Sequence, residues 1–314
     1  MTISLSIIIP VYNGSEFIEK LVSSIMSLTF KDYEVIIIND GSSDDTYEKL
    51  VSFVGNNDKF RIINQINKGV ASSRNLGIEL AIGKWLFFLD ADDTISHNYF
   101  NFISDYEHYY IKGSAVVVIN GVYDDYGKVK SKWHPYCFEK KNVDNIPYVL
   151  NTKIMKYVWG KLYSREFVIR NNIKFEKYNI AEDFLFNVKL CLMQPTLINI
   201  NAGYYYYYQN TNAVTKSYTA DNLLSRLRVV NRIFELLTQQ NIKLELKPRL
   251  YMEFFLYQTL KHLNKLTVDD KMKVLDVIKD NRSLLKISQI PMLPISVKGK
   301  LYFLFLIGKY KLWE

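Results

Sequence analysis

The chain has 314 residues, 48% of them hydrophobic and 23% charged, which excludes disordered, collagen-like and low-complexity proteins and leaves enough apolar residues for about two domains. Two cysteines and four scattered histidines exclude a disulfide scaffold and a zinc site built on cysteine or histidine. The net charge of +8 comes almost entirely from residues 241–314, which hold 14 lysines and arginines against 7 aspartates and glutamates.

The first 120 residues predict an α/β domain with a parallel sheet. Short runs of β-branched and aromatic residues are typical of strands buried on both faces, and they occur at residues 4–9, 34–38, 61–63, 85–89 and 115–119. Amphipathic stretches at residues 17–28 and 47–54 separate the first strands and predict helices. Asn13 and Glu16 have the spacing of a capping box before the first helix.

The rest of the chain changes character twice. Residues 121–132 contain turn residues and predict a hairpin, and the five consecutive tyrosines at 204–208 predict a strand with two aromatic faces. From residue 221 onward the apolar spacing is helical, so we place a domain boundary near residue 218. The sequence thus predicts an α/β domain at 1–218 and a basic helical region at 219–314.

The segment at residues 291–314 differs from the helices before it. Its apolar run, residues 301–307, is flanked by lysines and is too short to cross a bilayer. This pattern predicts burial at an anionic membrane interface, with packing on its own domain or in a homo-oligomer as the alternative. The basic charge of residues 241–314 would also suit nucleic acid, but nothing else in the sequence favours that partner. We expect a cytoplasmic protein bound peripherally to the inner face of the membrane, because no secretion signal is evident.

Acidic residues follow two of the predicted strands. Asp40 and Asp44 come after the second strand, and Asp90, Asp92 and Asp93 come after the fourth. The carboxyl ends of parallel strands meet at one edge of a sheet, so we expect these carboxylates to lie close together. A cation must then offset their repulsion, and an all-oxygen ligand set favours Mg²⁺ or Mn²⁺. The alternative for each group alone is a solvated turn or a helix cap.

Four motifs in order resemble the family 2 glycosyltransferases of the GT-A fold, of the type that builds bacterial surface polysaccharides. The resemblance covers residues 1–100 well and continues more weakly to about residue 215. The motifs are Ser6-Ile7-Ile8-Ile9-Pro10-Val11-Tyr12-Asn13, Asn39-Asp40-Gly41-Ser42-Ser43-Asp44, Asn67-Lys68-Gly69 through Arg74-Asn75, and Asp90-Ala91-Asp92-Asp93.

The resemblance implies a role for individual residues. Residues 1–120 would bind a nucleotide-sugar donor, with its base near Val11, Tyr12 and Asp40 and its diphosphate near Arg74. The Asp90-Ala91-Asp92 sequence would be the DXD motif, in which Asp92, with Asp90, holds Mn²⁺ or Mg²⁺. The full donor-binding set is Pro10, Val11, Tyr12, Asn13, Asp40, Asn67, Lys68, Gly69, Arg74, Asp90, Ala91 and Asp92.

Residues 121–218 would form the acceptor side. Asp183 matches the catalytic base, with Glu182 beside it, although both would also suit a helix N-terminus on electrostatic grounds alone. Trp159 and Lys161 would line the acceptor or diphosphate region, and a place in the core is the alternative for Trp159. The QxxRW signature of processive polymerases is absent from the sequence, so we expect transfer of one sugar at a time.

The sequence therefore predicts an inverting, metal-dependent transferase. Its donor would be a nucleotide-sugar, with UDP favoured because the carboxylate of Asp40 suits a pyrimidine N–H, and its acceptor a glycan or lipid-linked glycan. A sugar nucleotidyltransferase is one alternative, but it would require a glycine-rich phosphate loop that the residues after the first strand do not provide. A non-catalytic protein that binds carbohydrate or nucleotide-sugar is the other.

Overall fold

A computed structural model describes residues 3–106, 115–119, 121–124, 129–132, 138–140, 149, 153–200, 203–208, 219–242, 256–280, 297–310 and 312. The chain divides into two compact units. The first comprises Met1–Lys177 and Phe186–Asn210, and the second Tyr178–Leu185 and Thr211–Glu314. The domain boundary near residue 218 stays a prediction.

The first unit contains an eight-stranded mixed sheet. Its strands lie in the order β3-β2-β1-β4-β10-β6-β11-β9, and β1 to β4 are parallel to one another. Strand β10 is antiparallel to β4 and β6, on either side of it. The fold class and the five predicted strands are thereby confirmed. The strands are β1 Leu5–Val11, β2 Tyr33–Asp40, β3 Phe60–Gln65, β4 Trp85–Phe88, β6 Ala115–Ile119, β9 Phe138–Lys140, β10 Lys161–Ser164 and β11 Thr196–Ile200.

The helices between the parallel strands pack their apolar sides on this sheet. Helix α1 (Ile18–Met26) buries Ile18, Leu21, Val22 and Ile25, at the spacing of one helical face. Helices α2 (Thr46–Val54), α3 (Val70–Leu80) and α4 (Arg165–Arg170) complete this unit's labelled helices among the described residues. The predicted capping box is wrong, because α1 begins at Ile18 and Phe17 occupies its N-cap position without a side-chain hydrogen bond.

A smaller four-stranded sheet lies in the same unit. It has the order β5-β12-β7-β8, with β5 at Thr94–Ile95, β7 at Gly121–Asp124, β8 at Val129–Lys132 and β12 at Tyr205–Tyr207. Strands β7 and β8 pair antiparallel, which confirms the predicted hairpin. Strand β12 confirms that the tyrosine run is extended, and its neighbours are β5 and β7.

The labelled elements of the second unit are all helices among its described residues. Helix α5 (Glu182–Leu192) begins in this unit, and α6 (Ala220–Gln239), α7 (Tyr257–His262), α8 (Val268–Asp280) and α9 (Val297–Lys309) follow in the C-terminal region. Thr267 caps α8, since its hydroxyl accepts the Asp270 N–H at 3.3 Å. In the described part of the chain, no helix is both long enough and apolar enough to span a bilayer.

The contact between α3 and β1 depends on a glycine. A Cβ atom at Gly77 would lie 2.2 Å from Cγ2 of Ile8, which is fully buried. Side chains in close-packed interiors have little room to move away from such an overlap. The absence of a side chain at Gly77 therefore sets how closely α3 approaches β1.

We expect Gly77→Ala to lower the free energy of unfolding by about 1–3 kcal/mol, because overpacking outweighs the better helix propensity of alanine. Urea unfolding measures this change. The matched background is Ile8→Ala, which removes Cγ2 and Cγ1, the two nearest atoms that the new methyl group would meet. In that background Gly77→Ala should cost much less, and an equal cost in both backgrounds would show that the overlap is not the cause.

Candidate active site

Hydrogen bonds join the loops that follow β1 and β2. The backbone N–H of Asn13 donates to the Ser42 hydroxyl at 2.9 Å, and the Asn13 side-chain oxygen accepts the Ser43 N–H at 2.8 Å. Asn13 adopts a positive φ of 47°, a conformation that asparagine tolerates better than most residues. The side chain predicted to cap a helix therefore holds two loops of the sheet edge together. Beside it, Tyr12 is 53% exposed.

The carboxylate of Asp40 organises the loop that precedes α3. It is buried and accepts the backbone N–H groups of Lys68 and Gly69, at 2.9 and 2.8 Å, and the Gln65 side-chain amide at 2.6 Å. Gly69 has a positive φ of 86° at the start of α3, and a Cβ there would point into open space. Asp40 thus fixes the Asn67-Lys68-Gly69 turn, and its negative charge is offset by hydrogen-bond donors.

Arg74 brings a buried positive charge to the end of β4. Its side chain is 5% exposed, and its guanidinium donates to Asp90 at 3.0 Å. The guanidinium also lies over the ring of Phe175, 5.4 Å from the ring centre. An arginine held by a carboxylate and an aromatic ring has a defined position, which is what a diphosphate site requires.

The carboxylates at this edge do not form a large metal-binding cluster. Within the described residues, no three acidic, histidine or cysteine side chains are grouped so that they could hold a metal ion. The predicted repulsion is relieved mainly by other means, since backbone N–H groups bind Asp40 and Arg74 binds Asp90. The half-buried Asp92 lies next in the chain, after Ala91. One or two carboxylates are a sufficient protein contribution to a Mg²⁺ or Mn²⁺ site completed by phosphate and water, so the residues present fit such an ion.

Asp93 is the buried anchor of this acidic loop. It is 1% exposed and accepts the hydroxyl of Tyr205 at 2.6 Å and the backbone N–H of Tyr208 at 2.8 Å. Burial, followed by the negative charges of Asp90 and Asp92, raises the pKa of Asp93 well above its ordinary value. Asp93 therefore attaches the loop after β4 to strand β12 of the other sheet.

The tyrosine strand presents one face to this loop and one face to solvent. Tyr205 is fully buried, and Tyr207 is half-buried on the same side, whereas Tyr204 and Tyr206 are exposed. Burial, then the charge of Asp93 and the neighbouring Tyr157, Asp92 and Asp90, raises the pKa of Tyr207 to about 12. The phenol of Tyr207 thus lies close to the acidic loop.

Trp159 lies within a stack of aromatic rings. Its ring is 4.9 Å from that of Tyr157 and 4.9 Å from that of Tyr205, with an angle of 19° between the planes in both pairs. Trp159 is only 5% exposed, and Tyr157 at one end of the stack is 41% exposed. The structure thus places Tyr157, rather than Trp159, at the surface.

Lys161 lies in the core rather than at a surface. It is fully buried, and its ammonium group donates to the backbone oxygens of Tyr157 and Trp159 at 2.6 and 3.2 Å. These contacts account for its position without an acceptor or diphosphate, so its proposed place in the site gains no support.

Glu182 and Asp183 occupy the first turn of α5, in the second unit. Ala181, just before them, has a positive φ of 73°. This is the helix N-terminus that local electrostatics favours for acidic residues. The assignment of Asp183 as the base stays a prediction.

Two residues near the acidic loop were not among the predicted site residues, Tyr157 and Tyr207. Tyr207 lies on the same face of a period-two strand as Tyr205, which was a visible signal. Tyr157 had no such signal. Asp93 was expected among the carboxylates of this edge, but not as the buried anchor of the loop.

Comparison with known proteins identifies the family. Residues 6–170, just over half of the chain, match the family described as "Glycosyl transferase family 2". This protein belongs to that family. The resemblance found in the sequence motifs is thereby confirmed.

Several glycosyltransferases are similar to this chain. EpsJ of Bacillus subtilis strain 168 is 30% identical over 67% of this chain and 62% of its own length. TarP of Staphylococcus aureus strain N315, a poly(ribitol-phosphate) β-N-acetylglucosaminyltransferase, is 29% identical over 64% of this chain and 61% of its own. GlyA of Streptococcus pneumoniae serotype 4 is matched over only 37% of its length. The chain thus spans less than two thirds of these relatives.

A solved structure shares the fold of almost the whole chain. S. aureus TarS 1–349, in complex with UDP-GlcNAc, superposes with a TM-score of 0.71 over 99% of this chain and 89% of that one, at 20% identity. At this level of identity the likeness establishes the fold. The predicted GT-A architecture is therefore confirmed.

Two buried tyrosines, Tyr205 and Tyr99, allow a matched test of the hydrogen bond to Asp93. The hydroxyl of Tyr205 binds Asp93, whereas the buried hydroxyl of Tyr99 has no hydrogen-bond partner among the described residues. The two rings are neighbours, 6.5 Å apart. We expect Tyr205→Phe to lower the free energy of unfolding by about 1–3 kcal/mol, because it leaves a buried carboxylate oxygen without its donor.

Tyr99→Phe should be neutral or stabilising, since it removes only an unsatisfied polar group. Urea unfolding of both variants gives the comparison. Equal losses of stability would mean that the hydroxyl bond to Asp93 contributes nothing beyond the packing of the ring.

Proposed function

We propose that this protein is an inverting, metal-dependent glycosyltransferase. It moves one sugar from a UDP-linked donor to a hydroxyl group of a glycan or lipid-linked glycan in cell-surface polysaccharide synthesis. The observation that carries the proposal is the edge formed after β1, β2 and β4, where buried Arg74 and the half-buried Asp92 lie at the ends of parallel strands in a family 2 chain.

The donor base would bind over the loops that follow β1 and β2. Tyr12 offers an exposed aromatic ring there, and Asp40 holds the turn at Lys68 and Gly69 that closes the same edge. The hydrogen bonds of Asn13 to the second loop keep these parts in place before a ligand arrives. Such preorganisation lowers the entropy that nucleotide binding costs.

The diphosphate would lie between Arg74 and the DXD motif. Arg74 supplies a fixed positive charge, and Asp92, with Asp90, would hold Mn²⁺ or Mg²⁺. The bound ion would supply Lewis-acid stabilisation of the negative charge that develops on the leaving nucleotide. Asp90 keeps the guanidinium oriented, so its carboxylate serves the arginine as well as the metal site.

Asp183 would take the proton from the acceptor hydroxyl as that oxygen attacks the anomeric carbon. A single displacement of this kind inverts the anomeric centre, and the nucleoside diphosphate leaves from the opposite side. A carboxylate is a suitable base because proton transfer occurs late, when the attacking hydroxyl has become acidic. Glu182, its neighbour, would assist.

The relatives support the choice of donor and pathway. TarS binds UDP-GlcNAc, and TarP by its name transfers N-acetylglucosamine to poly(ribitol-phosphate). These facts belong to those proteins, and they favour UDP over dTDP and GDP as the nucleotide for this one.

Calorimetric titration with UDP, dTDP and GDP, with and without Mn²⁺, tests the donor site. We expect tight binding of UDP only with Mn²⁺, and loss of the Mn²⁺ dependence in Asp92→Asn. Release of UDP from UDP-glucose, UDP-galactose and UDP-GlcNAc tests the base. Asp183→Asn should slow this release by about 10²–10⁴-fold while keeping the affinity for UDP, because it removes only the proton acceptor.

Asp58→Asn is the matched control, since Asp58 is exposed and lies just before β3, outside the site residues. It should change neither the Mn²⁺-dependent binding of UDP nor the rate of UDP release. Unchanged turnover in Asp183→Asn would favour another base, and no UDP release even from the unchanged protein would favour a non-catalytic binding protein. UDP binding that ignores both Mn²⁺ and Asp92 would contradict the metal site.

We also propose that α9 holds the protein at a membrane surface. Leu301, Tyr302 and Phe305 are exposed on this helix, whereas Phe303 and Leu306 are buried on its other side. The exposed Lys309 lies one turn beyond Phe305. An exposed apolar stripe that ends in lysine suits an interface with anionic headgroups.

Co-sedimentation with vesicles tests this second proposal. The protein should bind phosphatidylglycerol vesicles and not phosphatidylcholine vesicles, and Leu301→Ser with Phe305→Ser should abolish binding. Met272→Ser, at a 51% exposed site on α8, is the matched control and should have no effect. Vesicle binding that survives the double change would contradict the proposal. A lower mass of the double variant than of the unchanged protein, measured by sedimentation velocity, would instead favour a homo-oligomer interface.

A further inference from the structure

The stack of Tyr157, Trp159 and Tyr205 ends at a surface. Both ring pairs are nearly parallel, and Trp159 covers one side of the Tyr157 ring at 4.9 Å. Tyr157 nevertheless remains 41% exposed, whereas Trp159 and Tyr205 are buried. The buried column therefore ends at a tyrosine whose side chain is partly exposed.

The backbone beneath this ring is fixed by buried donors. The ammonium group of Lys161 and the amide of Asn187 both donate to the backbone oxygen of Tyr157, at 2.6 and 2.9 Å. Lys161 and Asn187 are themselves fully buried. An exposed tyrosine on a mobile loop would lose entropy when it bound a ligand, and these bonds reduce that loss.

Strand register places Tyr157 beside the acidic loop. Strand β10 runs antiparallel to β4, with Leu162 opposite Phe87 and Ser164 opposite Trp85. The residues just before β10 therefore lie at the edge where β4 ends and the DXD motif begins. Burial raises the pKa of Tyr207, and the charges of Asp93, Tyr157 and Asp92 raise it further. Tyr157 and the acidic loop therefore both lie near Tyr207.

The order of the sheet separates this ring from the proposed nucleotide-base site. That site lies at β1 and β2, on one side of β4, and Tyr157 precedes β10 on the other side. A ligand group over Tyr157 would thus lie across the DXD motif from the base. In the proposed transferase this is the side from which a sugar acceptor would approach the donor's anomeric carbon.

We propose that the outer face of Tyr157 binds a sugar ring of the acceptor, by stacking against the apolar C–H face of the pyranose. The inference rests on the proposed transferase function and adds the acceptor subsite to it. The column of rings through Trp159 and Tyr205 ends at Asp93, so it sets the distance between this subsite and the acidic loop. An aromatic ring recognises a pyranose by its shape and apolar face without contacting every hydroxyl group.

Saturation-transfer NMR tests the subsite with defined probes. The probes are the methyl β-glycosides of glucose, galactose and N-acetylglucosamine, added to the full chain with UDP and Mn²⁺. We expect saturation transfer to at least one glycoside and a loss of affinity of about tenfold in Tyr157→Ala, with Tyr157→Phe and Tyr157→Trp close to the unchanged protein.

Tyr47→Ala is the matched control, because Tyr47 is also 41% exposed but lies on α2. It should leave glycoside binding unchanged. UDP affinity, measured on the same samples, separates the two proposals. If UDP binds normally and no glycoside does, or if Tyr157→Ala binds glycosides as well as the unchanged protein does, the subsite is overturned while the donor site stands. If UDP itself fails to bind, the transferase proposal fails.

Discussion

The buried carboxylate of Asp93 is the constraint on which the candidate site depends. Burying such a group costs several kcal/mol unless donors replace the water it loses. Here the donors are the hydroxyl of Tyr205, on strand β12 of the smaller sheet, and the backbone N–H of Tyr208, just after that strand. The loop that carries Asp90 and Asp92 is consequently attached to both sheets of the first unit. Its position is set by the fold before any nucleotide or metal ion arrives.

The same attachment relates the two sides of the reaction. Towards β1 and β2, Asp90 holds the guanidinium of Arg74 at the place proposed for the diphosphate. Towards β10, the ring of Tyr205 continues through Trp159 to the exposed Tyr157. Transfer between two bound substrates requires their reacting atoms to be held within a few tenths of an ångström, and rigid elements do this better than loops. A single acidic residue and a column of rings provide that rigidity here.

The sequence predicts the local parts of this arrangement well and the long-range parts poorly. Strands β1 to β4 follow from runs of β-branched and aromatic residues, and the common edge follows from their parallel direction. The role of Asn13 could not be predicted, because its partner at Ser43 lies in another loop, and local spacing pointed instead to a helix cap. Similarly, the charge of Asp40 is offset by backbone N–H groups, which leave no trace in composition. The run of tyrosines predicts a strand, but its buried face depends on Asp93, more than one hundred residues earlier in the chain.

Diffraction from crystals grown with UDP and Mn²⁺, recorded for the anomalous signal of manganese, tests whether the acidic loop is a metal site that the fold holds in place. We expect a manganese peak bound to the carboxylate of Asp92, UDP lying along the ends of β1 and β2, and Asp93 still hydrogen-bonded to Tyr205. A manganese peak on Asp93, or UDP bound away from Arg74 and the DXD motif, would contradict it. Manganese on Asp92 would show that the loop is a rigid metal-binding element. UDP bound elsewhere would show that the carboxylates of the loop serve only the fold.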